Sequence, residues 1–457
     1  MTPLSTPRPG DAFRSWTPSR RQILAAGAVA MTIPLLAGCS SPAAVYSQPK
    51  GKVPDEYAKR QRVVLWSPFG GANGEILAGL IEGFNTSQQE IYAEVQQFDG
   101  YDGTEAKLAA GLQAKQVPDV IILGDVSWNR FFLSDVLEPL GGYFDSSFGA
   151  DAFNDRLLAE GTVNGETWWL PLGRSTPLFY YNREIFSQVG LPDRAPKTWT
   201  EFREWGKEVN GFQYRGAPVS MRAYAGGDDW YIQGLIWNMG GAISDGLDVT
   251  LGDGPAVDAL AFDQAIIFDD KSGYLATDPS NDFISGLAAT VTQSTGLLGA
   301  LANTADFDFG TGFLPEQEDE GVPTGGGGIS IPKNASPEGK KAGFELIKYL
   351  STGEAAVSWA MQTGYLPPTT AAAESDEMKQ KTKENPNFKV ALEQLAIARQ
   401  PDVVRRYVPS VVPDMRTAIQ KVYAGGEDPE QVIAQTTKLV ETATDKIRSK
   451  YERRVQN

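Results

Sequence analysis

The feature that most restricts the fold of this chain is a regular alternation of strand and helix patterns near its start. In chain order the patterns predict strand 63–66, helix 74–84, strand 91–98, helix 105–115 and strand 120–123. A β-α-β-α-β order predicts a mainly parallel sheet with right-handed crossovers. The last strand is continuously apolar, as expected when helices cover both faces of the sheet.

Short polar and aromatic segments follow each of these predicted strands. They are Ser67-Pro68-Phe69, Asp99-Gly100-Tyr101 and Gly124-Asp125. In open parallel sheets, ligands bind beyond the carboxyl ends of the strands. We therefore expect these segments to lie at a binding edge.

A second α/β unit is predicted to begin near Arg174. Its patterns indicate helices over 200–209, 230–238 and 257–268, a strand over 307–314, a capped helix after Ser336-Pro337 and a long amphipathic helix over 432–451. We predict two lobes with crossings near Leu172, Leu297 and Ile331. The expected boundaries are 62–172 plus 297–331 for lobe 1, and 173–296 plus 332–457 for lobe 2.

Composition excludes several functions. The 457 residues include no His and one Cys, which removes His-based catalytic triads, His-ligated zinc and internal disulfides. The formal net charge is −16, and such acidity disfavours a nucleic-acid partner, which requires clustered Lys and Arg. We expect no metal and no cofactor.

The N-terminal segment has the pattern of an export signal. The pair Arg20-Arg21 precedes an apolar run over 23–36, which ends in Leu36-Ala37-Gly38-Cys39. This order predicts that residues 1–38 are removed and that Cys39 is acylated. Residues 39–61 are then expected to be a flexible tether that holds the protein at an outer membrane face. Both the twin-arginine and the general secretory route stay open.

Three motifs carry a resemblance to a known family. They are Pro171-Leu172-Gly173-Arg174-Ser175-Thr176-Pro177-Leu178-Phe179-Tyr180-Tyr181-Asn182-Arg183, Pro196-Lys197-Thr198-Trp199 and Gln362-Thr363-Gly364-Tyr365-Leu366-Pro367. The chain resembles extracellular solute-binding proteins of ABC importers, in the maltose-binding-like class. Within that class it is most similar to the glycerol-3-phosphate-binding branch, some of whose members are associated with glycerophosphocholine. The resemblance implies a periplasmic-binding-protein-like fold of class II, with two doubly wound α/β lobes joined by hinge crossings.

The resemblance also implies a set of ligand-binding residues. The positions that match the glycerol- and phosphate-contacting residues of the family are Tyr101, Ser175, Ser294, Gly326, Tyr365 and Arg405. Asp125 and Trp230 match positions that would meet a second head group. The adjacent Arg406 is an alternative to Arg405. Phosphate-only binders carry a further large aromatic residue before Trp230, and Gly226-Gly227 in its place leaves room for a larger ligand.

Each of these residues also has a structural interpretation. Trp230 is as well suited to packing between the lobes, and Asp125 could cap the following helix. Ser175 and Ser294 could stabilise turns. The pair Asp228-Asp229 is expected to form a solvated turn or a cap.

The leading functional hypothesis is a substrate-binding lipoprotein of an ABC importer. It would capture a glycerophosphodiester by lobe closure, with glycerophosphocholine preferred and glycerol 3-phosphate as a further candidate, and deliver it to the permease as a monomer. An oligosaccharide-binding protein of the same fold is the alternative. A third hypothesis, an exported phosphodiesterase, would need a metal cluster or an activated nucleophile, which carboxylates alone rarely provide without His.

Overall fold

The computed structural model describes residues 44–455. These residues form two five-stranded sheets, which we call sheet 1 and sheet 2. Each sheet is covered by helices, and the chain passes between the two resulting lobes at several points. In the described part of the chain, no helix has both the length and the apolar character needed to cross a bilayer.

Sheet 1 contains the strands that the alternating pattern predicts. Its strand order is Ile91–Gln97, Gln61–Ser67, Val120–Gly124, Gly325–Ser330 and Leu170–Ser175. The first three strands are parallel, which confirms the prediction, and Gly325–Ser330 is antiparallel to both of its neighbours. The helices of lobe 1 are Gly71–Ser87, Gly100–Ala114, Trp128–Leu133, Asp155–Ala159, Pro337–Ser351, Gly353–Thr363 and Thr370–Ala373.

Sheet 2 repeats this arrangement. Its strand order is Gly273–Ala276, Ser220–Ala225, Ala288–Ser294, Pro177–Asn182 and Phe309–Gly312. Again three parallel strands are followed by antiparallel pairings. The helices of lobe 2 are Arg183–Val189, Trp199–Val209, Asp229–Asn238, Pro255–Phe268, Pro279–Ile284, Leu298–Thr304, Val403–Tyr407, Val411–Tyr423 and Pro429–Val455, and helices Asp376–Glu384 and Pro386–Gln394 lie on the last return to this lobe.

Short elements complete the architecture. The two-stranded pairs are Thr162–Val163 with Glu166–Thr167, Gln213–Tyr214 with Ala217–Pro218, Ser244–Asp245 with Asp248–Val249, and Val322–Pro323 with Ala398–Arg399. The 3₁₀ turns are Asp55–Tyr57, Gly141–Tyr143, Ala150–Ala152, Thr295–Leu297 and Leu395–Ile397.

The structure corrects two of the expected lobe boundaries. Residues 297–312 belong to lobe 2, because strand Phe309–Gly312 pairs with Pro177–Asn182 at the edge of sheet 2. The helix Pro337–Ser351 belongs to lobe 1, because its buried Phe344 and Ile347 pack in one apolar cluster with Val63 of sheet 1. The chain therefore crosses at Thr176, again between 312 and 325, and finally after 373.

The expected flexible tether is also corrected for the residues that the structure describes. The Ser47 amide donates to the Lys115 carbonyl at 3.0 Å, and the Ser47 carbonyl accepts from the Val117 amide at 3.0 Å. The Gln48 side-chain amide donates to Asp119 at 2.7 Å. These bonds attach the segment to lobe 1, although its Ser- and Pro-rich composition predicts a tether. Cys39 and the export signal over 1–38 lie outside the described residues.

Candidate functional site

Four of the predicted site residues lie where the strands of sheet 1 end or begin. Tyr101 is in the first turn of the helix Gly100–Ala114, and Asp125 directly follows strand Val120–Gly124. Ser175 ends its strand and pairs in register with Gly325, the neighbour of Gly326. The Asp125 amide donates to the Gly326 carbonyl at 3.0 Å. Sheet geometry thus brings these residues to one edge, as the parallel-strand argument predicts.

An aromatic group connects Tyr101 to Tyr365. The Phe69 ring lies between them, with centroid distances of 6.2 Å to Tyr101 and 5.6 Å to Tyr365. Trp359 stacks on Tyr365 at 5.6 Å. Burial raises the pKa of the Tyr365 hydroxyl to about 12 and the pKa of the Tyr101 hydroxyl well above its usual value. Both hydroxyls therefore stay protonated at neutral pH and can donate.

The glycine run over 325–328 is required by close packing. A Cβ on Gly325 would lie 2.5 Å from the Trp230 indole, and a Cβ on Gly327 would lie 2.8 Å from the Tyr101 hydroxyl. Gly326 has a φ of +90° and would place a Cβ 2.1 Å from the Gly173 carbonyl oxygen. Only glycine fits these positions, so the run brings both aromatic side chains against the strand backbone.

Trp230 contacts the segment that crosses from lobe 2 to lobe 1. It lies in the helix Asp229–Asn238, and its Nε1 donates to the Thr324 carbonyl at 3.1 Å. Its indole lies against Gly325, and the side chain is half-buried. Trp230 therefore packs against Gly325 and still leaves part of its side chain accessible.

Ser294 is the N-cap of the turn Thr295–Leu297, and its hydroxyl accepts from the Gly296 amide at 3.1 Å. A Cβ on Gly296 would lie 2.7 Å from the Tyr365 ring. This turn of lobe 2 therefore abuts the aromatic group of lobe 1. Ser294 therefore stabilises a turn and also lies near the site.

Opposite charges meet at the carboxyl edge. Arg405 is buried, donates through Nη2 to Asp229 at 2.6 Å, and places Nη1 3.9 Å from Asp125 Oδ2. Burial raises the pKa of Asp125, and the nearby Arg405 guanidinium opposes that shift. Arg406 donates to Gln400 at 3.0 Å and lies over the Tyr407 ring. Of the two arginines, Arg405 is the one that contacts the predicted site residue Asp125.

Several polar atoms at this edge are buried without an internal partner. Within residues 44–455, the Tyr101 hydroxyl, Asp125 Oδ2 and the Nε and Nη1 of Arg405 have no hydrogen-bond partner. We call these the open polar atoms. Buried polar groups are normally paired, so such a set at one edge points to an external partner.

Three charged residues near the site are not indicated by the sequence patterns, namely Asp229, Arg416 and Arg174. The pair Asp228-Asp229 was expected to form a solvated turn or a cap. Asp228 does cap the helix, whereas Asp229 is buried and bound to Arg405 and Arg416. Arg174 is fully buried, donates to Glu160 and, at 2.5 Å, to the Gly325 carbonyl. The position of Arg174 inside the apolar strand Leu170–Ser175 could have indicated its role, since a charged residue in such a strand requires a buried partner.

Comparison with known proteins identifies the family. Residues 79–389 match the family described as bacterial extracellular solute-binding protein. The chain belongs to this family. It is 25% identical over 405 residues to the sn-glycerol-3-phosphate-binding periplasmic protein UgpB of Yersinia pseudotuberculosis. The aligned region covers 82% of this chain and 90% of that relative.

Solved structures agree with this assignment. The fold matches UgpB from Mycobacterium tuberculosis in complex with glycerophosphocholine, with a TM-score of 0.78, 32% identity, and coverage of 84% of this chain and 98% of that one. An ABC substrate-binding protein from Listeria monocytogenes in complex with cycloalternan gives a TM-score of 0.76 at 18% identity, covering 84% and 99%. That second likeness concerns the fold alone.

Family membership confirms the predicted resemblance and the class II fold of two α/β lobes. The chain is a substrate-binding protein of an ABC importer, which binds a small molecule outside the cytoplasm for delivery to a permease. Proteins of this family are described as binding solutes.

Proposed function

We propose that the protein captures a glycerophosphodiester at this edge of sheet 1, with glycerophosphocholine preferred over glycerol 3-phosphate, and delivers it to the permease. The observation that carries this proposal is the set of open polar atoms at the edge of sheet 1. Two are guanidinium donors, one is a carboxylate oxygen and one is a protonated hydroxyl. A ligand that satisfies all of them needs an anionic oxygen, hydroxyl groups and a positive charge.

A zwitterion fits this arrangement better than a dianion. Arg405 Nη1 and Asp125 Oδ2 present opposite charges 3.9 Å apart. A phosphodiester carries one negative charge for the guanidinium, and a quaternary ammonium group suits the carboxylate and an aromatic face. A phosphate dianion would be repelled by Asp125 and Asp229. The glycerophosphocholine complex of the Mycobacterium tuberculosis relative supports the same choice.

Space near Trp230 supports a ligand larger than glycerol 3-phosphate. A Cβ built on Gly226 would meet no atom of residues 44–455 within 4 Å. The half-buried indole of Trp230 lies four residues further along the chain. Tyr101, Ser175, Ser294, Gly326 and Tyr365 would then contact the glycerol and phosphate moieties, and Asp125 and Trp230 the choline group.

Calorimetry with a panel of ligands tests this proposal. We expect glycerophosphocholine to bind most tightly, glycerol 3-phosphate more weakly, and maltose and trehalose not at all. The alternative is an oligosaccharide-binding protein of the same fold. Binding of a neutral sugar, without binding of either phosphate ligand, would establish that alternative. Release of free choline during the titration would instead indicate a phosphodiesterase.

We further propose that the mature protein begins at an acylated Cys39 and is held at the outer face of the membrane. The Leu36-Ala37-Gly38-Cys39 pattern supports this proposal. Metabolic labelling with an alkyne fatty acid should mark the wild type and leave Cys39→Ala unlabelled and released. Labelling of Cys39→Ala would contradict it. We expect a monomer, which light scattering coupled to size-exclusion chromatography measures.

A further inference from the structure

Asp229 holds two guanidinium groups at once. It begins the helix Asp229–Asn238, and its relative exposure is 4%. One carboxylate oxygen accepts from Arg405 Nη2 at 2.6 Å, and the other accepts from Arg416 Nε at 2.8 Å. Both oxygens are therefore engaged with cations, and the helix N-terminus adds favourable dipole energy to the negative charge.

This contact fixes which donors of Arg405 remain available. Asp229 engages Nη2, while Nε and Nη1 belong to the open polar atoms. Nη1 lies 3.9 Å from Asp125 Oδ2, outside hydrogen-bond distance. A small rotation of the guanidinium would shorten this ion-pair contact to a hydrogen bond with Asp125. Such a pair would occupy the donors that an anionic ligand needs.

We propose that Asp229 is a positioning residue, which keeps Arg405 beyond hydrogen-bond distance of Asp125 and leaves its Nε and Nη1 available for an anionic oxygen of the ligand. This inference rests on the proposed function, because it requires a phosphate-bearing ligand at Arg405. It assigns a role to a residue that the family motifs leave out.

The same carboxylate also connects the anion site to the opposite lobe. Arg416, which Asp229 holds through Nε, donates through Nη1 to Asp102 of the helix Gly100–Ala114 at 3.0 Å. Arg416 is in lobe 2 and Asp102 is in lobe 1. Asp229 thus orients Arg405 within a network that is complete when these helices lie close together.

A double-mutant cycle tests the positioning role. Calorimetry with glycerophosphocholine is performed on the wild type, Asp229→Asn, Arg405→Lys and the double variant. Asp229→Asn keeps the side-chain volume and removes the charge that restrains Arg405. Since charge-assisted hydrogen bonds of this kind change affinity by roughly 10- to 100-fold, we expect a loss of that size.

The double variant separates positioning from a general structural effect. A lysine ammonium is a point charge without a planar fork to orient, so Asp229→Asn should cost less than about threefold on the Arg405→Lys background. An equal loss on both backgrounds would overturn the proposal. Asp228→Asn is the matched control, because it removes an adjacent charge and retains a capping side chain. We expect it to change affinity by less than about threefold.

Two outcomes distinguish this inference from the proposed function. If the wild type binds glycerophosphocholine and Asp229→Asn binds it equally well, the positioning role is wrong and the proposed function stands. If the wild type does not bind it, both fail. Should Asp229→Asn not fold, Asp229→Glu replaces it, because it keeps the charge and moves the carboxylate by about 1.5 Å. A roughly tenfold loss is expected there too, and unchanged affinity overturns the proposal.

Discussion

Replacing Trp230 by Ala should lower the affinity for glycerophosphocholine much more than the affinity for glycerol 3-phosphate. An aromatic face against a desolvated quaternary ammonium contributes about 2 kcal/mol. At 1.4 kcal/mol per tenfold, its loss weakens binding about 30-fold. Glycerol 3-phosphate has no such group, so its affinity should fall less than about threefold.

The ratio of the two affinities is the informative quantity, because Trp230 also has a packing role. Its Nε1 donates to the Thr324 carbonyl at 3.1 Å, and its ring lies against Gly325. Damage to the crossing segment would weaken both ligands by the same factor. Trp230→Phe is the control, since it keeps an aromatic face and loses the Nε1 bond.

Isothermal titration calorimetry of the wild type and both variants measures the effect. We expect Trp230→Phe to retain most of the preference for glycerophosphocholine and Trp230→Ala to lose it. Equal losses for the two ligands in Trp230→Ala would refute the reasoning and leave Trp230 as a packing residue.

Three further predictions concern charged residues. Arg405→Ala should abolish measurable binding of phosphate ligands while Arg406→Ala changes it little; calorimetry that finds the reverse would exchange their roles. Arg416→Ala removes the 3.0 Å contact with Asp102, and because that pair is exposed we expect the complex to lose only about 0.5 kcal/mol of binding free energy. Stopped-flow measurements should show a two- to threefold faster ligand release at low salt and no difference from the wild type at 1 M NaCl. An effect that does not depend on salt would exclude an electrostatic contact. Burial raises the pKa of Asp119 to about 6, so the folded state favours the neutral carboxyl group. The folded state therefore loses about 2–3 kcal/mol of stability as pH rises from about 4 to about 6. Asp119→Asn should remove this pH dependence of thermal unfolding, and an unchanged pH profile would show that another group causes it.

Local sequence patterns predicted sheet 1 and its binding edge because they encode its first three strands directly. The apolar run over 120–123 and the helical spacing before it are properties of neighbouring residues. The same edge then placed Tyr101 and Asp125 together, since parallel strands share the position of their carboxyl ends.

Local sequence patterns do not specify which of the two sheets an element packs against, as the lobe boundaries show. The helix Pro337–Ser351 has a clear apolar face and a Ser336 cap, yet nothing in that face specifies which of two similar sheets it covers. The strand Phe309–Gly312 contains two glycines and pairs at an edge, so its pattern did not indicate sheet 2.

The charge network was hidden for a related reason. Two adjacent aspartates before a helix commonly cap it in solvent, and Asp228 does cap it. The partners of Asp229 lie 176 and 187 residues away, so no local signal identifies them. Close packing of Trp230 and Tyr101 requires glycine at 325 and 327, and a glycine run by itself does not reveal these distant partners.

A crystal structure of the glycerophosphocholine complex tests the central claim most directly. We predict one ligand between the lobes, with a phosphate oxygen about 3 Å from Nε or Nη1 of Arg405 and the trimethylammonium group over the Trp230 ring beside Asp125. A ligand bound elsewhere, or a complex in which Arg405 is hydrogen-bonded to Asp125 and does not contact the phosphate group, would contradict this prediction.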